Sequence, residues 1–211
     1  AVNTFFGIVA AWLLTKFSFR GKQVLATLID IPFSISPVIV GLAFLMTFGR
    51  LGWTYPAIRA INQFFGTNIR ITFALPGVVL ATIFVTFPFV SREIIPILNA
   101  QGKDEEEAAA LMGANGFTIF RKITLPQMKW GLIYGIILCT ARALGEFGAV
   151  NALSKTRGET FTFPLEIDAL YMSGTDTSIT AAFAVSSILV LIAIVVLVIR
   201  NIFEYRNKKS S

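Results

Sequence analysis

Between Thr177 and Ile199 the chain carries no charged side chain, and most of that stretch reads ITAAFAVSSILVLIAIVVLVI. A helix needs roughly 20 apolar residues to cross a hydrocarbon layer about 30 Å thick, and inside that layer the backbone must satisfy its own hydrogen bonds. Residues 31–49 and 71–91 are equally free of charge, while 130–150 is apolar but interrupted by Arg142 and Glu146. Residues 1–15 are apolar up to Lys16, yet short for a full crossing, and read as the tail of a longer helix that begins before this chain. No basic region precedes them and no small-residue cleavage site follows, so they do not read as a signal peptide. The expectation is an all-α polytopic membrane bundle with spans at about 1–15 (partial), 24–48, 71–91, 130–150 and 177–200. Of 211 residues, 55% are apolar and 20 are Phe, more apolar surface than one soluble core of this size could cover.

What the chain lacks excludes chemistry. There is no histidine, which removes Ser-His and Cys-His dyads, histidine-ligated zinc and histidine proton relays. Cys139 is the sole cysteine, so neither an internal disulfide nor a thiolate metal cluster is available. A GxxxxGK[ST] phosphate loop is missing as well, so any ATP must be bound and hydrolysed by another chain.

The net charge of +6 could speak for nucleic acid, but its distribution speaks for orientation. With five alternating spans, one side holds Lys16, Arg20, Lys22, Arg92, Lys103, Arg121, Lys122, Lys129, Arg200, Arg206, Lys208 and Lys209, twelve of the eighteen cations. The other side holds Arg50, Arg59, Arg70, Lys155 and Arg157. The twelve-cation side is expected in the cytoplasm together with the C-terminus, and no nucleic-acid partner is needed. Trp53 and Tyr55 beyond the second span, and Trp12 and Trp130 near inner ends, suit interfacial positions.

Pro32, Pro37, Gly41, Pro76, Gly77 and Pro88 lie within expected spans, where kinked helices must bury their freed backbone groups in protein or water. Gly131 and Gly135, then Ala141, Gly145 and Ala149, repeat small residues every four positions, a face that lets a neighbouring helix approach closely or serves as a generic packing stripe.

The long loop 101–129 reads as structured. Asp104 to Glu107 complement the N-terminus of an Ala-rich helix, and Gly113 can end it in the left-handed conformation. A second short helix is expected from Phe117 to Ile123, closed by Pro126. Four acids in a row ordinarily mean a solvated face, whereas Phe117 and Phe120 on one side of a polar loop suggest a docking knob for a soluble partner. Glu107-Ala108-Ala109, three residues, Gly113, nine residues, then Ile123-Thr124-Leu125-Pro126 resembles the EAA loop of permease subunits of ATP-binding-cassette importers. Further stretches, among them Asp30-Ile31-Pro32-Phe33, Phe84 to Val90, Ala143 to Ala149 and Arg157-Gly158-Glu159-Thr160, are similar to sulfate/thiosulfate permeases, the W-type subunits in particular. Molybdate permeases share several of them.

The resemblance covers the whole chain. It implies a type I importer permease fold and a coupling role for Glu107, Ala108, Ala109, Gly113, Phe117, Phe120, Ile123, Leu125 and Pro126. It also implies a chain with no cofactor of its own, ATP and Mg being bound by a partner ATPase. The remaining implied partners are a second permease subunit of the T type, an extracytoplasmic sulfate-binding protein and membrane lipid. Such permeases generally have six helices, so the expectation here is a chain lacking the first crossing and part of the second.

Arg142 and Glu146, spaced i, i+4 within an expected span, can pair on one helix face. Two roles stay open for them: an anion path, or a structural ion pair. Asp30 is expected near the inner end of its span, capping or meeting loop cations. Phe163 to Tyr171, outside, reads as a short amphipathic helix that touches a binding protein or lies on the membrane surface. Two competing classes are an ATP-independent anion carrier or channel, opposed by the filled EAA pattern, and an intramembrane enzyme, opposed by the missing histidine and acid clusters.

Overall fold

The computed structural model describes residues 1–208, with side chains through residue 202. It is 77% helical, with no strand among the described residues. In chain order the helices are α1 (Val2–Lys16), α2 (Lys22–Ser34), α3 (Pro37–Phe48), α4 (Tyr55–Phe65), α5 (Leu75–Thr86), α6 (Pro88–Gln101) and α7 (Asp104–Leu111). They continue with α8 (Gly116–Ile119), a π-helical turn (Phe120–Thr124), α9 (Leu125–Gln127), α10 (Lys129–Leu144), α11 (Gly148–Leu153), α12 (Phe163–Met172) and α13 (Asp176–Lys208).

Five spans were expected, and the structure corrects that number. Among the described residues, two helical stretches are long and apolar enough to cross a membrane, Leu75–Gln101 and Asp176–Ile202, and a third arises if α2 and α3 count together as one broken span. The expected 24–48 span is broken because Ser36 precedes Pro37, whose ring drives the preceding residue out of helical geometry; Ser36 adopts φ −58° and ψ 132°. The expected 130–150 span stops at Leu144, giving 16 residues, or roughly 24 Å at ~1.5 Å per residue. The 15-residue α1 is shorter still. The 71–91 span, by contrast, runs on to Gln101, with α6 starting at Pro88, where a missing N–H costs least. Of the tail cations, Lys209 lies outside the described residues, and Arg206 and Lys208 lie beyond the described side chains.

The chain forms two compact units. The first comprises Ala1–Ile31, Thr86–Thr140 and the segment from Leu197 on. Its core sets Ala11 of α1 and Met128 against Val90, Ile94 and Leu98 of α6. α1 presents Asn3, Gly7, Ala10, Ala11 and Leu14 inward, a helical stripe of small residues, and leaves Phe5, Phe6 and Val9 exposed. Small residues let the backbones close up: a Cβ on Gly7 would lie 2.6 Å from Val90 Cβ, and one on Gly135 would lie 2.8 Å from Val90 Cα. Gly131 meets the Glu93 carbonyl in the same way, so the Gly131/Gly135 step is where α10 rests on α6. The buried Asn3 amide donates to Thr86 Oγ1 at 2.6 Å and lies 3.5 Å from Cys139 Sγ.

The second unit comprises Pro32–Val85 and Ala141–Val196. Here α3 packs on α11: a Cβ on Gly41 would sit 2.5 Å from the Ala149 carbonyl oxygen. Val40, Ala81, Val85, Ala149 and Leu153 form one cluster, and Val78, Val150 and Leu165 another. The stripe Ala141, Gly145, Ala149 does not exist as one helix face, because Gly145 and Glu146 form a turn and Ala149 belongs to α11. Ala182 is buried, but Phe183, Leu191 and Val195 of α13 are exposed, an apolar surface suited to lipid or another membrane subunit.

Candidate functional site

The loop 101–129 is a folded platform within the first unit. Asp104, Glu105, Glu106 and Glu107 occupy the first turn of α7, where carboxylates face the positive end of the helix dipole. They are not simply a solvated face. Glu106 Oε1 accepts a hydrogen bond from Thr124 Oγ1 at 2.6 Å and lies 3.1 Å from Lys16 Nζ, and that ammonium also donates to the Gly102 carbonyl at 2.6 Å. Glu105 Oε2 accepts from Gln127 Nε2 at 2.8 Å. Two of the four acids therefore tie α7 to α1, the π turn and α9, while Glu107 and Ala108 are exposed and Ala109 is buried. Nothing local marks Glu106 for this task, since its partners lie far away in the sequence.

α7 ends as its glycine foretold. Gly113 has φ +85°, its N–H reaches the Ala110 carbonyl, and Ala114 N–H reaches the Ala109 carbonyl, the paired bonds of a Schellman motif. Asn115 then caps α8, its Oδ1 accepting from Thr118 N at 2.8 Å. The second helix begins at Gly116 and passes into the π turn, and Pro126 does not close it. Pro126 lacks an N–H and its ring crowds the carbonyl four residues earlier; the π turn just before it widens the helix, with Leu125 N–H reaching back to the Phe120 carbonyl.

The two phenylalanines expected on one face are separated. Phe117 is 72% exposed. Phe120 faces inward, packing on the Ile94/Leu98 core and meeting the Trp12 ring edge-on at 5.2 Å. Helical geometry puts residues three apart on neighbouring positions, but the core lies on one side of that pair. Leu125 packs on the same core, Thr124 is buried, Ile123 is half-buried and Pro126 is exposed. The outward apolar group of this platform is instead Leu111, Met112 and Phe117, with Leu111 91% and Met112 81% exposed. The sequence reading missed Leu111 and Met112; their place at the last turn of an otherwise Ala-rich helix, next to Gly113, was the signal available.

Arg142 and Glu146 belong to the second unit and do meet: Arg142 Nη1 lies 2.6 Å from Glu146 Oε2. Glu146 is fully buried, and its Oε1 accepts the Ala149 N–H at 2.9 Å, while its own carbonyl accepts from Thr162 Oγ1 at 3.4 Å. Oε1 thus ties down the start of α11, while buried Oε2 makes no hydrogen bond and is compensated by the Arg142 charge. Asp30, in the first unit, accepts from Arg92 Nε at 2.9 Å. On the expected outer side, Glu166 accepts from Arg157 Nε at 2.8 Å and holds that guanidinium above its ordinary pKa, chiefly through the hydrogen bond. α12, which carries Glu166, buries Leu165 with Val78 and Val150, so it is packed onto its unit.

A family model described as "Binding-protein-dependent transport system inner membrane component" matches residues 3–209. The sulfate transport system permease protein CysW of Escherichia coli (strain K12) is 45% identical over 206 residues, covering 97% of this chain and 68% of the relative. CysW of Synechococcus elongatus is 45% identical over 212 residues, covering 100% of this chain and 71% of the relative. Among solved structures, a bacterial ABC transporter involved in the import of the acidic polysaccharide alginate superposes with a TM-score of 0.73 at 18% identity, covering 95% of this chain and 72% of that one.

Proposed function

Because the chain belongs to the family of binding-protein-dependent transport system inner membrane components, as a permease subunit of an ATP-binding-cassette importer, we propose that it lines the path by which sulfate or thiosulfate enters the cell. A permease of this family works with an ATPase and a second permease, and ATP is hydrolysed on the separate chain. The observation that carries the substrate is the 45% identity to sulfate transport permeases over 97% of this chain.

In this reading the ATPase holds the Leu111–Met112–Phe117 surface. Its nucleotide-driven closure moves a platform whose Thr124–Glu106–Lys16 linkage joins it directly to α1. Coupling requires that the ATPase grip this surface differently in its two states, since equal contacts would shift nothing. Glu107, Ala108 and Ala109 shape the α7 side, and Gly113 sets the angle between α7 and α8. ATP and Mg sit on the ATPase, and this chain holds no cofactor. The second permease is a T-type partner, and an extracytoplasmic sulfate-binding protein delivers the anion to the outer mouth. The C-terminus is cytoplasmic, following the excess of Lys and Arg on that side. Arg142 and Glu146 act as a structural pair, because burying Glu146 requires its charge to stay compensated.

The test is uptake of radiolabelled sulfate by cells carrying the complete transporter, with unlabelled thiosulfate or molybdate as competitor. Competition by thiosulfate with little effect of molybdate is expected. Uptake of labelled molybdate in preference to sulfate moves the chain to the molybdate group, and transport without an ATPase overturns the importer mechanism.

A further inference from the structure

Residues 31–91 contain three arginines, Arg50, Arg59 and Arg70, and not one Asp or Glu. The second unit brings all three to the wall of one cavity of about 900 Å³, together with Tyr55, Asn62 and Asn68. That volume lies in the range of small-ligand sites. Among the described residues none of the three is ion-paired.

The cavity is built, not accidental. Gly66, at φ +63°, ends α4 and turns the chain back along it. The Asn62 side chain then clamps the returning segment from both ends of its amide: Nδ2 donates to the Ile69 carbonyl at 3.0 Å, and Oδ1 accepts from Ile69 N at 2.9 Å and from Thr67 Oγ1 at 3.1 Å. This clamp sets Asn68 and Arg70 around the cavity that Arg59 lines from α4 itself. Tyr55, Ile58, Arg59 and Asn62 follow helical spacing, so one face of α4 lines the cavity. Phe64 and Ile61 point away from that face, Phe65 lies at its edge beside Ile58, and α4 buries none of its residues. Phe64 is 83% exposed and Phe65 68%, and Trp53, just before the helix, is 81% exposed.

A short helix with exposed Phe64 on one side and Arg59 on the other, flanked in the chain by the equally unpaired Arg50 and Arg70, has the composition of an element lying in the membrane interface. Guanidinium groups favour phosphate and sulfate oxygens, and the aromatics beside them favour the headgroup level. We propose that the Arg50/Arg59/Arg70 cavity is an oxyanion site that holds the phosphate of an anionic phospholipid headgroup, with α4 laid along the same leaflet. The shared chemistry would also admit a free tetrahedral anion, but Trp53, Phe64 and Phe65 give the lipid's acyl chains a place beside the site. The inference rests on the chain being in a membrane and is independent of which anion is imported.

Native mass spectrometry of the complete transporter, delipidated and then titrated with phosphatidylglycerol or phosphatidylcholine, tests it. The unaltered protein is expected to retain phosphatidylglycerol preferentially. Each of Arg50→Gln, Arg59→Gln and Arg70→Gln should weaken that retention by about fivefold, the contribution of one basic side chain at a lipid surface. Arg157→Gln, in the same unit but outside the cavity, should leave it alone. Equal retention of the two lipids by the unaltered protein overturns the site, and this comparison decides alone if a variant fails to assemble. Displacement of phosphatidylglycerol by sodium sulfate, with sulfate binding lost in the three variants, overturns the lipid as occupant in favour of a free anion. Failure of sulfate uptake with lipid preference intact strikes the proposed substrate and leaves this site standing.

Discussion

Lys16 Nζ stands 3.1 Å from Glu106 Oε1, with the two side chains only 5% and 15% exposed, and this contact joins the end of α1 to the first turn of α7. A buried pair is weak as a source of net stability but costly to halve, since the remaining charge loses its compensation. Lys16→Met is expected to destabilise the folded chain by about 3 kcal/mol. The double variant Lys16→Met/Glu106→Leu should be less damaged than the sum of the single changes. Thermal unfolding of the detergent-solubilised transporter measures this; strictly additive losses would show that the two groups do not interact.

Phe117 and Phe120 are three residues apart and should behave oppositely. Phe117→Ala removes an exposed ring, so stability is expected to change by no more than about 0.5 kcal/mol while ATP hydrolysis loses its coupling to uptake. Phe120→Ala empties a ring-sized space beside Trp12 and should cost about 2–4 kcal/mol, lowering the amount of assembled transporter. ATPase-to-uptake ratios and unfolding temperatures separate the two. Normal coupling in Phe117→Ala would remove this surface as the ATPase contact.

For Arg142 and Glu146, a structural pair and an anion path predict different patterns. Glu146→Gln leaves Arg142 without its counter-charge and should cost about 3 kcal/mol, seen as lost assembly. Arg142→Lys keeps a cation for the carboxylate and should recover most of the assembly lost in Arg142→Gln. If Arg142→Gln assembles normally yet loses sulfate uptake, the residue belongs to the anion path after all.

Gly113 and Gly116 offer a control on backbone conformation. A Cβ at either meets nothing within 4 Å, but only Gly113 has positive φ. Gly113→Ala is expected to cost about 1–2 kcal/mol through strain alone and to misdirect α8, while Gly116→Ala is tolerated. Limited proteolysis of the 101–129 segment reads the difference. Equal protection in both variants would mean that the turn between α7 and α8 does not depend on the left-handed residue.

Much of this architecture is written in local chemistry. Charge-free runs announce apolar helices because lipid admits few alternatives, and Gly113 announces a helix end because few other residues tolerate its conformation. The pattern from Glu107 to Pro126 marks the platform, and the carboxylates at its start mark a helix N-terminus, since each depends on neighbours within a few residues. Span lengths were harder to read. Hydropathy does not register that Pro37 forces Ser36 out of the helix, or that Glu146 leaves α10 to hold the start of α11.

The sequence by itself determined the helical class, the family pattern and the candidate residues, because these rest on composition, period and short spacing. Only the tertiary structure decided which of those residues face outward. Phe117 and Phe120 are chemically identical, and the position of the Ile94/Leu98 core makes one a surface group and the other a packing group. Lys16 and Glu106, or Arg59 and Arg70, become partners in one network or one cavity only when the chain folds back. Proximity between distant residues is a property of packing, which no local pattern contains.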